Sequence, residues 1–228
     1  YNRNKRSIAL DLKHPEGKAV AQRLVHSADI VLENFRPGTM AKLGLDYESL
    51  SSEHPGLIYC SLKGFLSGPY ENRVALDEVT QMMGGLAYMT GLPDRPLRAG
   101  SSVIDITGGM FGVIAILSAL HQRRETGQGS HVTSALFETT AFLVGQHMAQ
   151  QAVSGEPPPP MSVRQSAWAV YDIFELNSGE RLFVGIVSDT LWQRFCAEFS
   201  LADWAADESL SGNAGRVAER DRLLPAIR

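Results

Sequence analysis

Asp105 lies in the run Ser101-Ser102-Val103-Ile104-Asp105-Ile106-Thr107-Gly108-Gly109, where a polar stretch turns into a long apolar helical one. That position predicts an aspartate at a helix N-terminus, where its side chain can cap the first turn. The same geometry has a chemical use. Free main-chain N–H groups and the partial positive charge of the helix end favour the ionised carboxylate. An ionised, fixed carboxylate can attack an activated acyl group, and Gly108 and Gly109 allow a ligand close to the backbone. A second group, Lys5, Arg6, Lys13, Arg36 and Lys42, falls at expected strand and loop edges rather than along one helix face. Such cations suit a phosphate-rich ligand at the strand ends of an open α/β sheet, and equally suit an ordinary solvated surface. Arg95, Arg98 and Arg164 divide the same way between a receptor for a second carboxylate and surface charge.

Other chemistries lack their residues. The sequence has no G-x-S-x-G elbow, no Walker loop and no G-x-G-x-x-G fingerprint. Its six histidines include no pair three or four residues apart, and Cys60 and Cys196 are isolated, so no metal is expected. A net charge of −4 over 228 residues gives no bulk reason to bind nucleic acid or an anionic membrane. Two thiols in a chain this long suggest a reducing cytoplasm. The most apolar run, residues 110–120, ends at His121, Arg123 and Arg124; it is too short to span a bilayer and reads as a buried helix.

The elements that must position Asp105 follow from periodicity. Residues 7–12 alternate as a strand, Pro15 opens a helix, and residues 28–33 form a second strand, together the length of a βαβ unit. Residues 57–62 and 131–136 are further strands. Helices are expected over 77–87, from 101–105 to about 124 with Gly127 and Gly129 as its stop, and over 138–153, with loops at 64–73 and 91–100. Gly155-Glu156 and four prolines, residues 157–160, mark the clearest boundary. Beyond it, strands at 169–175 and 181–187 flank a turn, and helices follow at 189–199 and 217–227. The fold class is α/β, with a parallel-sheet large domain over 1–155, a linker over 156–164 and the start of a smaller α+β domain over 165–228. Tyr1 leads straight into strand pattern and residues 216–228 stop without a cap, so both ends read as cut inside folded structure.

Asn4-Lys5-Arg6-Ser7-Ile8-Ala9-Leu10-Asp11-Leu12-Lys13 and Ala28-Asp29-Ile30-Val31-Leu32-Glu33-Asn34-Phe35-Arg36-Pro37-Gly38 closely resemble the family III coenzyme A transferases, the CaiB/BaiF family. Leu57-Ile58-Tyr59 with Gly64-Phe65, Asp77 with Gln81 and Gly84-Gly85-Leu86, and Thr126-Gly127-Gln128-Gly129 extend the resemblance in order over almost the whole chain. The resemblance implies a Rossmann-like large domain joined to a smaller one, in a homodimer of interlocked chains. It also implies that the family's opening βαβ unit and returning C-terminal segment are missing from this chain. By the same resemblance Asp105 falls on the catalytic aspartate, which takes the acyl group as a mixed anhydride and then carries CoA as a thioester. Leu10, Asp11, Leu12, Lys13, Asn34, Phe35, Arg36 and Lys42 fall on CoA-holding positions, with core packing the plain alternative for Leu10 and Leu12. Asp77 falls near a CoA-contacting acidic position that helps set the site. CoA thioester would be substrate, exchanged with a carboxylic acid, with no permanently bound cofactor.

Two departures bear on subtype. The formyl-CoA transferases of the family carry a mobile glycine run where residues 183–189 here have one glycine, which argues against oxalate and formate as the substrates. The related α-methylacyl-CoA racemases need a His where this chain has Leu76, and leucine exchanges no proton. A CoA-binding protein without catalysis is the remaining alternative. Lys63 stands where the family more often has a small residue.

Overall fold

The computed structural model describes residues 2–164 and 166–228, arranged as two compact units, Tyr1–Val163 and Arg164–Arg228. Tyr1 and Gln165, the first residues of the two expected domains, lie outside the described residues. The first unit is built on a parallel three-stranded sheet in the order β1 (Ile30–Glu33), β2 (Ile58–Lys63), β3 (Ser130–Ala135). Leu32 pairs with Cys60, and Cys60 with Val132. The central strand is buried from Ile58 to Ser61, as a parallel strand covered on both faces must be.

Residues 7–12 are not a strand. Their alternation holds, but alternation makes only an extended chain, and among the described residues this segment pairs with no neighbour. The βαβ unit expected over 7–33 is therefore not formed, and the parallel pairs are β1–β2 and β2–β3. Ile8 is exposed, whereas Leu12 packs partly buried against the cluster of Leu45, Leu50, Leu57 and Tyr59. Helix α1 (Pro15–His26) starts at its proline, with His14 Nδ1 accepting from Glu16 N–H. Short helices α2 (Thr39–Leu43) and α3 (Tyr47–Ser51) follow β1, and α4 (Asp77–Met83) and α5 (Leu86–Thr90) follow β2.

Helix α6 (Val103–Thr126) departs from the buried helix expected around residues 110–120. It is 24 residues long, enough by length and composition to cross a bilayer, yet it lies against the sheet through small residues. A Cβ on Gly112 would stand 2.9 Å from Leu62 Cδ2 and 3.6 Å from Cys60 Sγ, so only glycine lets the helix come this close. Ser134 Oγ donates to Gly108 O at 2.8 Å. The other face leaves Met110, Val113, Ile114 and Leu117 exposed. Gly127 closes the helix in the left-handed region (φ 72°), and after β3 the chain enters α7 (Leu136–Ser154).

The proline segment is pinned rather than free. Met161 N–H donates to Met89 O, Ser162 Oγ to Gly91 O, and Tyr88 Oη to Pro158 O. The second unit holds an antiparallel hairpin, β4 (Tyr171–Glu175) with β5 (Arg181–Gly185), then α8 (Asp189–Glu198), α9 (Ala202–Ala206), a single 3-10 turn, α10 (Asn213–Ala218) and α11 (Arg220–Ile227). Trp192, Cys196, Leu210 and Leu223 centre its core. The helix expected over 217–227 breaks at Glu219, beside Arg220, whose guanidinium donates to the main-chain carbonyls of Trp168 and Ala169. Buried Arg216 crosses the Trp192 ring and pairs with Asp189.

Candidate active site

At the carboxyl ends of all three parallel strands the chain turns away from the sheet, the place where open α/β folds leave a crevice. β1 runs into Asn34-Phe35-Arg36, β2 ends at Leu62-Lys63 and runs into Gly64, and Ser134 lies one residue before the end of β3, after which Leu136 opens α7. With the start of α4 and the first turns of α6, these residues line a cleft of about 630 Å³.

One wall is fixed by an ion pair. The Glu33 carboxylate is buried and takes Lys63 Nζ at 2.6 Å on Oε1, while Oε2 accepts Phe35 N–H at 2.9 Å. Lys63 Nζ also donates to Phe35 O at 2.9 Å. The loop 34–36 is thereby held at both main-chain polar groups of Phe35, which gives Lys63 a structural task that its sequence position does not show.

The floor is fixed by Asp77. It is 6% exposed and Gln81, one helical turn on, is fully buried. Asp77 Oδ1 accepts Gln81 Nε2 at 2.6 Å, and Gln81 Oε1 in turn accepts Ala99 N–H at 2.8 Å. Asp77 Oδ2 accepts the first-turn N–H groups of α6, Ile104 at 2.8 Å and Asp105 at 3.2 Å. Helix α6 is thus capped from another helix. Ser102 occupies the N-cap position without a side-chain bond, and Asp105 is the third helical residue, not the cap.

In this setting the ionisation of Asp105 shifts in the direction opposite to the one expected for a helix-capping carboxylate. Partial dehydration pushes its carboxyl above the ordinary carboxylate range, the Asp77 charge pushes the same way, and Arg98 opposes both. The helix N–H groups that would have favoured the anion are already committed to Asp77. The Asp105 side chain remains exposed to the cleft. Gly108 and Gly109 both line the cleft; Gly109 has open space where a Cβ would stand, whereas a Cβ on Gly108 would meet Leu136 Cδ2 at 3.2 Å.

Of the residues singled out in sequence, Asn34, Phe35, Arg36, Asp77 and Asp105 line this cleft. Leu10, Asp11, Leu12, Lys13 and Lys42 are not among its lining residues. Leu12 serves the core, Asp11 Oδ1 accepts Lys13 N–H at 2.9 Å, and Lys42 is exposed in the last turn of α2. Arg98 reaches the cleft and Arg95 does not line it, while Arg164 belongs to the second unit. Sequence reasoning missed Arg73, which lines the cleft with its guanidinium 4.3 Å from the Tyr70 ring centre, because a loop has no periodicity to single it out.

A second, apolar groove of about 730 Å³ runs along α6, lined by Ser102, Asp105, Ile106, Gly109, Met110, Val113 and Ile114. Asp105 and Gly109 belong to both hollows. No group of three or more His, Cys, Asp or Glu side chains that could hold a metal ion occurs among the described residues. What the site offers is a solvent-reached carboxylate, Asp105, more basic than usual, at the meeting point of a polar cleft and an apolar groove. A carboxylate needs no separate base to act as a nucleophile.

The family model for CoA-transferase family III matches residues 1–228. A succinate–glutarate CoA-transferase from Agrobacterium fabrum is 38% identical over 99% of this chain and 57% of its own length. An acetyl-CoA:oxalate CoA-transferase from Acetobacter aceti is 34% identical, over 99% of this chain and 59% of its own. The crystal structure of a CaiB/BaiF family protein from Brucella suis aligns with a TM-score of 0.83 at 37% identity, covering 99% of this chain and 60% of that one. The chain belongs to CoA-transferase family III and spans under two thirds of the length of these relatives.

Proposed function

We propose that this chain carries the nucleophile and part of the CoA-binding surface of an enzyme that moves coenzyme A between an acyl-CoA thioester and a carboxylic acid. The observation that carries the reading is the Asp105 carboxylate, exposed where the cleft walled by Asn34-Phe35-Arg36 meets the apolar groove. Family membership supplies the reaction class, and the named relatives transfer CoA to or from succinate, glutarate and oxalate. The single glycine at residues 183–189 speaks against the oxalate end of that range.

In the proposed course the Asp105 carboxylate attacks the thioester carbonyl, giving an aspartyl–acyl anhydride and releasing the CoA thiolate. The thiolate attacks the aspartyl carbonyl, forming an aspartyl–CoA thioester and freeing the first acid as its carboxylate. The acceptor carboxylate then attacks that thioester to give a new anhydride and CoA thiolate. Attack of the thiolate on the acceptor's acyl carbon yields the new acyl-CoA and returns Asp105. No proton or electron is gained or lost overall. Asp77 acts on this course through position, because it fixes the main chain of Asp105. Arg36 and the clamped loop 34–36 hold the nucleotide end of CoA, and Lys13 and Lys42 join them once CoA extends beyond the cleft. The working form is a homodimer in the cytoplasm, free of metal and of nucleic-acid or membrane partners.

Leu76, which lines the cleft and exchanges no proton, favours the transfer reading over a racemase. The test is chemical trapping in the whole gene product that contains these residues. Incubation with acyl-CoA and then hydroxylamine should convert Asp105 to its hydroxamate, and Asp105→Asn should abolish both the label and the exchange. Exchange retained in Asp105→Asn would refute the reading.

A further inference from the structure

Arg98 is held loosely beside the nucleophile. Its guanidinium stands 3.7 Å from Asp77 Oδ1 and 3.9 Å from Glu78, longer than a good charged hydrogen bond, while its Nε donates to the neighbouring Ala99 O. The side chain is 38% exposed, so ion pairs of this kind hold it weakly. Arg98 Nη2 and the Asp105 main-chain N lie 3.7 and 3.2 Å from the two oxygens of one carboxylate. The two are therefore no more than about 9 Å apart, allowing for the width of that carboxylate. Arg73 lines the same cleft, with its guanidinium over Tyr70 rather than on a carboxylate. The groove on the other side of Asp105 is apolar, apart from Ser102 and Asp105 itself.

We infer that Arg98 is the receptor for the far carboxylate of a dicarboxylic acid, so that the acyl group transferred is that of a short dicarboxylate lying in the polar cleft. The inference rests on the transfer reading above and names its substrate class. A guanidinium within that distance of the Asp105 main chain is in range of the far carboxylate of a four- or five-carbon diacid whose acyl carbon is held at Asp105. A planar guanidinium pairs with carboxylate through two parallel N–H donors. Asp77 and Glu78 do not compete strongly, because Asp77 already accepts three closer hydrogen bonds and Glu78 is exposed. A monocarboxylate of the same length would leave Arg98 with those long contacts alone and would fit the apolar groove instead.

The experiment compares glutarate with valerate, of equal carbon number, as CoA acceptors in the whole gene product. The wild type is set beside Arg98→Gln and Arg98→Lys. The expected result is a wild-type preference for glutarate that falls about 10–100-fold in Arg98→Gln, through KM more than kcat, and returns in part in Arg98→Lys. Two results overturn the inference alone: a wild-type preference for valerate, or equal losses for both acids in Arg98→Gln. Absence of transfer to any acid, with no hydroxamate at Asp105, overturns the transfer reading and the inference with it.

Discussion

Replacing Asp77 by alanine removes the acceptor that joins α4 to the start of α6, and the structure fixes what is left behind. The Gln81 amide is fully buried and loses its 2.6 Å partner; the Ile104 N–H, on an equally buried residue, loses its 2.8 Å partner. The Asp105 N–H belongs to a residue exposed at the cleft, so water can replace Asp77 there. Each orphaned buried donor costs about 1–3 kcal/mol, so the pair sets the loss at about 3 kcal/mol. In a unit of this size that lowers the unfolding midpoint by about 6–12 °C. Asp77→Asn keeps one oxygen for the helix but turns an amide donor toward the Gln81 amide, and should lose about half as much. All three tryptophans, Trp168, Trp192 and Trp204, lie in the second unit, so their fluorescence follows that unit separately. Far-ultraviolet circular dichroism, dominated by the longer helices of the first unit, should show the shift while the tryptophan transition stays in place. A shift of about 2 °C or less for Asp77→Ala would mean that the trans cap does not hold the two helices together.

The raised Asp105 ionisation has two consequences with definite sign. The folded chain binds the Asp105 proton more tightly than the unfolded chain, so stability falls as pH rises through the window above the ordinary carboxylate value. Asp105→Asn should remove that fall and be the more stable protein at neutral pH, as denaturant titrations at several pH values would show. The rate of acyl transfer should drop on acidification at a pH above the usual carboxylate range, because only the anion attacks; a pH–rate profile without such a limb contradicts the assignment. Lys63→Met leaves the buried Glu33 carboxylate without its cation and should cost about 3 kcal/mol in urea unfolding, most of it recovered in Glu33→Gln/Lys63→Met. Arg36→Ala should raise KM for the CoA thioester with little change in kcat, measured by initial rates of exchange.

How far the sequence discloses this molecule depends on how local each cause is. Pro15 starts α1 and Gly127 stops α6, because a fixed φ and a left-handed residue act within one turn. Strand β2 was legible because burial on both faces writes a continuous apolar run, and β3 because its exposed His131 and Thr133 alternate with the more buried Ser130, Val132 and Ser134. Residues 7–12 carry an equally good alternating pattern and form no strand, because pairing is supplied by a neighbour that pattern cannot name. The half-exposed α6 was misread likewise: an apolar run reveals that a face must be covered, not which face this unit covers.

The site divides along the same line. Asp105 is visible in sequence as a carboxylate in a first helical turn, and that local fact predicts an acid held in its charged form. Its actual ionisation is set first by partial dehydration and then by a residue 28 positions earlier, Asp77, which takes the helix N–H groups and adds a negative charge beside them. The exchange is chemically useful. A cap made by Asp105 itself would spend its oxygens on the backbone and lower its basicity, which weakens a nucleophile. Giving the cap to Asp77 leaves both Asp105 oxygens free toward the cleft and raises their basicity. Gln81 and Ala99 then keep Asp77 from swinging away with the load. Substituting Gln81 should for that reason disturb Asp105 without touching it, an effect that no inspection of the residues around position 105 would anticipate.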